Sequence, residues 1–153
     1  MSWRLSLIAA TAAALALIAG AAAGGAVDRD LATLKAPVIH ESFTPLPCTG
    51  KPKARDTLQQ EGCAEQQILG TDARIDTLAG SIFARLSDRA SKGRFITAQK
   101  LWLSYRHADC LSRADVFEGG SQAPVVAAQC AAARNEERIK DLQSFLAALS
   151  GAQ

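Results

Sequence analysis

The 153-residue chain has almost no net charge, with 17 Lys+Arg against 15 Asp+Glu. Such a balance sets up no long-range field. It argues against a nucleic-acid partner and against electrostatic capture by an anionic membrane surface. Histidine is scarce, with His40 and His107 alone, and none of the four cysteines stands in C-x-x-C spacing. A metal site is therefore the weak reading of the cysteines, and no cofactor is implied. A nucleophile elbow and a glycine-rich oxyanion loop are both missing. Ser104, His107, Asp109 and Ser112 are close in sequence, but neighbouring positions on a helix face about 100° apart and do not converge. The chain reads as a non-enzyme. Strand-like alternation and internal repeats are also missing, which leaves an all-α fold.

What is present begins with residues 1–26, which have the pattern of an export signal. Arg4 precedes an uncharged apolar run from Leu5 to Ile18, and the small residues Ala19 to Ala26 offer A-x-A cleavage sites. An uncleaved anchor is the alternative, because Leu5 to Val27 carries no charge; only then would the protein sit on a membrane. Removing the signal takes away Arg4 and no acid, so the mature chain carries 16 − 15 = +1. Residues 27–47 form an extended linker in which Pro37, Pro45 and Pro47 interrupt any helix. Phe43 and Leu46 are its docking residues, with a mobile stretch before them. Residues 48–150 make one helical domain.

Within that domain the spacing predicts three helices. The first starts near Asp56 or Thr57, either with Thr57 and Gln60 as a capping box or with Asp56 doing the same one residue earlier. Ile68, Ile75, Leu78, Ile82 and Leu86 form its apolar stripe, Gly70 is a point of bending or breakage, and Lys92-Gly93 ends it. Asp72 and Asp76, one turn apart, are either a paired-carboxylate site or a solvated face, and the solvated face is preferred. The second helix runs from about Arg94 to Phe117 and buries Ala98, Leu101, Trp102, Tyr105 and Ala108, with Val116 near its end. Glu118-Gly119-Gly120-Ser121 turns the chain, and Ser121 caps the last helix. That helix carries Val125, Val126, Ile139, Leu142, Phe145, Leu146 and Leu149. The architecture is an antiparallel three-helix bundle, with a broken first helix as the variant.

Four cysteines in a small exported chain imply two disulfides with three possible pairings. Cys110 lies ten residues before Gly120 and Cys130 ten after it, so antiparallel helices bring them level. Cys48 then pairs with Cys63. Each bridge constrains the unfolded chain by about 3 kcal/mol in the loop-entropy account.

The ordered set Cys48, Cys63, Asp72-x-x-Ile75, Ala98-Gln99-x-x-Trp102-x-x-Tyr105-Arg106-x-Ala108-x-Cys110, Gly119-Gly120-Ser121, Cys130 and Arg138-x-x-x-Leu142 resembles the LprI-like lysozyme-inhibitor domain. The similarity covers roughly residues 48 to 145. It departs from the family pattern at Asp76 (usually Asn), Ala79 (usually an aromatic) and His107 (commonly Asp). The resemblance implies an exported, periplasmic or extracellular protein whose partner is a lysozyme-type muramidase, blocked by steric occlusion of its cleft. A non-catalytic structural or adaptor module of the cell envelope is the alternative. Gly119, Gly120 and Ser121 are the candidate contact residues, since a small-residue loop can enter a sugar-binding cleft. Trp102, Tyr105 and Arg106 are either a binding patch or, as preferred, structural. In the structural reading both aromatics fill the core, and Arg106 covers the indole or pairs with Asp72 or Asp109.

Overall fold

In a computed structural model, residues 33–53 and 55–151 are described. The export signal expected over residues 1–26 and the first residues of the expected linker lie outside them. Three α-helices follow one another: α1, Thr57–Arg85; α2, Arg89–Ala114; and α3, Gln122–Gly151. A 3-10 turn, Asp115–Phe117, extends α2. Among the described residues there is no strand, so the chain is an all-α antiparallel bundle. Both disulfides are the inferred ones, Cys48–Cys63 with Cα atoms 4.7 Å apart and Cys110–Cys130 with 5.4 Å.

α1 is unbroken. Gly70 and Gly80 are tolerated because Ala64, Ile68, Ile75, Ala79 and Ile82 keep one continuous buried face across them. Of the two caps considered, the structure uses Asp56, whose Oδ1 accepts from Gln59 N at 3.1 Å. α1 ends at Arg85, well before Lys92-Gly93, which lies inside α2. The sequence reading missed the start signal at Asp88, whose carboxylate accepts from Ser91 N at 2.9 Å and Ser91 Oγ at 2.5 Å. Those hydrogen bonds hold its carboxyl below the ordinary aspartate range. An N-terminal cap of this kind satisfies donors that a first helical turn leaves free, which outweighs one glycine five residues on.

The buried face of α2 is not the predicted one. Phe95, Gln99, Arg106, Cys110 and Ala114 point inward. Ala98, Leu101, Tyr105 and Ala108 face out, Leu101 at 65% and Tyr105 at 53% exposure; Trp102 is half-buried. Val116, expected at the end of that face, is 80% exposed. On α3, Val125, Ile139 and Leu142 are buried, while Phe145 is partly open and meets Phe95 edge-on at 6.1 Å between centroids.

α3 is the central helix, packing along α1 and less extensively on α2, and α1 and α2 approach each other little. An extended strap, residues 34–47, supplies contacts from the side of the bundle. Pro37 and Ile39 are buried, so docking begins before Phe43. The strap runs antiparallel to α1: Ile39 N donates to Asp76 Oδ1 at 2.7 Å, Glu41 N to Asp72 Oδ2 at 3.1 Å, and Leu46 N to Glu65 Oε2 at 2.7 Å. Gly62 is what lets it pass. A Cβ there would stand 2.6 Å from Leu46 O and 2.8 Å from Pro47 O.

Two apolar clusters result. Ile39, Ile75, Ala79, Ile82, Phe95, Ile139 and Leu142 form the larger one; Ala64, Ile68, Ala128 and Ala132 form the smaller, with Phe43 against it. Along α1 and α3, the polar residues Thr71, Asp72 and Asn135 fall between these clusters, and Arg106 reaches them from α2.

Candidate functional site

Arg106 is the centre of this polar layer. Its side chain is 1% exposed and that of Asp72 is fully buried. Nη1 donates to Asp72 Oδ1 at 2.7 Å and to Asn135 Oδ1 at 2.6 Å; Nη2 donates to Glu41 Oε1 at 2.7 Å. Asn135 Nδ2 in turn donates to Asp72 Oδ1 and Thr71 Oγ1, both at 2.8 Å. One guanidinium thus ties α2 to α1, α3 and the strap. A buried charge survives only when paired and hydrogen-bonded in this way. Of the three pairings considered for Arg106, the structure has the ones with Asp72 and with the indole, whose ring centroid lies 5.4 Å from its guanidinium carbon. Asp72 is therefore no solvated face. Asp76 is not one either: its Oδ2 holds His40 Nδ1 at 2.6 Å.

Arg138 lies on the same indole, 5.6 Å from the ring centroid, and donates from Nε to Gln99 Oε1 at 3.0 Å. Burial lowers its pKa below the usual arginine value, but guanidinium stays charged at any ordinary pH. Trp102 is a platform for two cations, and these contacts tie Asp72, Trp102, Arg106 and Arg138 of the resemblance motif together. Tyr105 stands apart from it, facing solvent. Sequence reasoning missed Glu41 and Asn135, and it quoted Gln99 in the resemblance motif without a role. The available signal for Gln99 and Asn135 was a polar residue at a core position of an otherwise apolar helical stripe.

The residues that could suggest hydrolytic chemistry do not meet. His107 pairs through Nε2 with Glu41 Oε1; Ser104 and Ser112 donate to the carbonyls of Lys100 and Asp109 on their own helix. Asp109 accepts from Arg113 Nε at 3.2 Å and Arg134 Nε at 2.9 Å, which holds its carboxyl below the ordinary range. It lies near the sulfurs of Cys110 and Cys130, but these are bonded to each other and offer no thiolate to a metal.

At the far end of the hairpin, residues 115–121 are all exposed. Backbone bonds close the tip, Glu118 N to Asp115 O at 3.1 Å and Gly120 N to Phe117 O at 2.9 Å. Gly119 takes φ +75°, a conformation that favours glycine; Gly120 does not. Ser121 does not act as the predicted side-chain cap. Its hydroxyl has no partner among the described residues, and the first turn is closed by Ala123 N donating to Gly120 O at 3.2 Å. Asp115, Val116 and Phe117 join Gly119, Gly120 and Ser121 in the protruding surface.

Beside the tip a groove of about 630 Å³ opens between the strap and the three helices. Leu111 and Pro124 line its tip-side end, Ile68, Ala127, Ala128 and Ala131 its apolar wall, Glu41, Glu61 and Glu65 add carboxylates, and His107 adds an imidazole. Burial, and then the neighbouring Glu65 charge, raises the Glu61 pKa above its ordinary value.

Residues 48–142 match the family model described as "Lysozyme inhibitor LprI". No curated protein and no solved structure matches the chain.

Proposed function

Because this chain belongs to the LprI lysozyme-inhibitor family, we propose that it is an exported, non-catalytic inhibitor that blocks a lysozyme-type muramidase by steric occlusion of its cleft. The observation that carries the mechanism is the hairpin tip. Its residues 115–121 are exposed throughout, including the apolar Val116 and Phe117, and the two helices behind it are cross-linked at Cys110–Cys130. A probe stiffened at its base loses little entropy on insertion, which favours tight binding. Gly119, Gly120 and Ser121 present backbone groups and a free hydroxyl where a sugar would otherwise bind. Asp115 and Glu118 give the tip local negative charge although the chain as a whole is near neutral.

Two disulfides fit a protein that works in the periplasm or outside the cell. Residues 1–26 are the export signal in this reading, and residues 27–47 join it to the helical body.

The test is a titration of peptidoglycan lysis by a muramidase with the disulfide-intact exported protein, alongside Val116→Asp and Ser121→Arg. Both variants change exposed side chains and should leave the fold intact. The wild type is expected to suppress lysis at micromolar excess, and both variants to require at least about tenfold more protein. Undiminished lysis with the wild type rejects the inhibitor reading for that muramidase. Equal potency of the three proteins rejects the tip as the occluding element.

A further inference from the structure

Along the three helices, every carboxylate but one has a partner. Glu65 accepts from Leu46 N, Asp72 from Arg106, and Asp76 from Ile39 N. Asp109 holds Arg113 and Arg134; Glu136, Glu137 and Asp141 lie against Arg74, Arg134 and Arg138. Glu61 alone has neither cation nor hydrogen-bond donor among the described residues. It stands on the groove wall, one helical turn from Glu65, with an alanine surface of α3 across from it.

For stability alone this is a poor arrangement. Like charges at i,i+4 on a helix repel, and the half-buried setting of Glu61 adds a desolvation cost. Arg106 does not relieve it, since its charge is taken up by Asp72 and Glu41 inside the bundle. His107, the other basic side chain on the groove, is engaged with Glu41. The groove is thus an apolar slot with uncompensated negative charge on one wall, and its volume lies within the roughly 300–1,000 Å³ of ligand sites.

We propose that this groove is the docking slot for a lysine or arginine side chain carried on an exposed loop of the partner protein. The alkyl stem of that side chain lies along Ala127, Ala128 and Ala131, and its charged end reaches Glu61 and Glu65. Long basic side chains combine an apolar stem with a charged head, the chemistry these walls offer. The identity of the partner as a muramidase rests on the function proposed above; the chemistry of the slot does not. With Leu111 and Pro124 shared between the slot and the base of the tip, a partner gripping the tip would be within reach of the slot.

Butylguanidinium chloride serves as a probe, titrated into the disulfide-intact protein at low ionic strength and followed by NMR. The expected result is saturable shifts of the Ala127, Ala128 and Ala131 methyls at millimolar probe, with a downward shift of the Glu61 carboxyl titration. Neutral butylurea should bind roughly three- to tenfold more weakly, and Glu61→Gln should weaken butylguanidinium by a similar factor. Failure of the wild type to bind the probe, or equal binding by Glu61→Gln, overturns the slot. In the lysis assay Glu61→Gln should also lose potency, and unchanged potency overturns the slot while leaving the inhibitor reading intact. A wild type that binds the probe and does not slow lysis removes the muramidase and leaves the slot standing.

Discussion

Replacing Arg106 by methionine is the perturbation that most directly tests the polar layer. The substitution keeps much of the apolar stem against Trp102 but removes the bonds to Asp72, Asn135 and Glu41. Glu41 is 32% exposed and can recover water. Asp72 is fully buried and cannot; it keeps only Asn135 Nδ2 and Glu41 N as donors. Breaking a buried pair by removing one partner costs about 3–5 kcal/mol, because a charge remains without its counterion. At about 4 °C per kcal/mol for a domain of this size, the melting temperature should fall by about 12–20 °C.

Urea unfolding followed by far-UV circular dichroism, with both disulfides intact, reads this directly. The second variant is Asp72→Asn in the Arg106→Met background. It removes the orphaned charge, and its single amide oxygen can keep one of the two remaining donors, Asn135 Nδ2 on one side or the strap's Glu41 N on the other, so it should regain part of the loss. A single-variant cost below about 1 kcal/mol, or a double variant no more stable than the single, would refute the account of Arg106 as the paired centre of the bundle.

Three other outcomes follow from the geometry. Gly62→Ala forces the strap away from α1, since its Cβ would stand 2.6 Å from Leu46 O; unfolding should be easier by about 1–3 kcal/mol, and hydrogen exchange at the Leu46 amide should accelerate. Tyr105→Ser should leave stability within about 0.5 kcal/mol, because the side chain faces solvent on α2; a larger loss in thermal melting would restore the sequence-based orientation of that helix. The Asp109 carboxyl is held below its ordinary range by Arg113 and then Arg134. Its folded value is therefore lower than its unfolded one, so its contribution is complete above the unfolded pKa of about 3.9 and fades as pH falls through the folded value. Asp109→Asn should thus be less stable than wild type near neutrality, and the two urea midpoints should converge toward pH 2.

The outline of the fold was legible because it depends on local signals. Equal spacing of Cys110 and Cys130 about Gly120 identified the hairpin and its bridge, and the remaining pair followed by elimination. The ordered motif from Cys48 to Leu142 identified the family. The helix boundary at Asp88 is also local, since an aspartate-serine cap there outranks the glycine at 93 as a boundary signal.

The orientation of α2 was not local. Its sequence carries two competing stripes. Ala98, Leu101, Tyr105 and Ala108 make the more apolar one, so hydrophobic periodicity selects it. Gln99 and Arg106 lie on the other and count as polar in any such reading. Burial of those two is affordable only because Asp72, Asn135, Arg138 and Glu41 arrive from other segments with matching hydrogen-bonding atoms. Nothing within α2 announces those partners. The same holds for the groove, whose walls come from the strap and all three helices, and for Glu61, whose isolation can be seen only when every neighbour is in place. Local sequence determined which segments are helical and which cysteines meet. Tertiary packing decided which polar side chains could be buried, because that depends on partners distant in the chain.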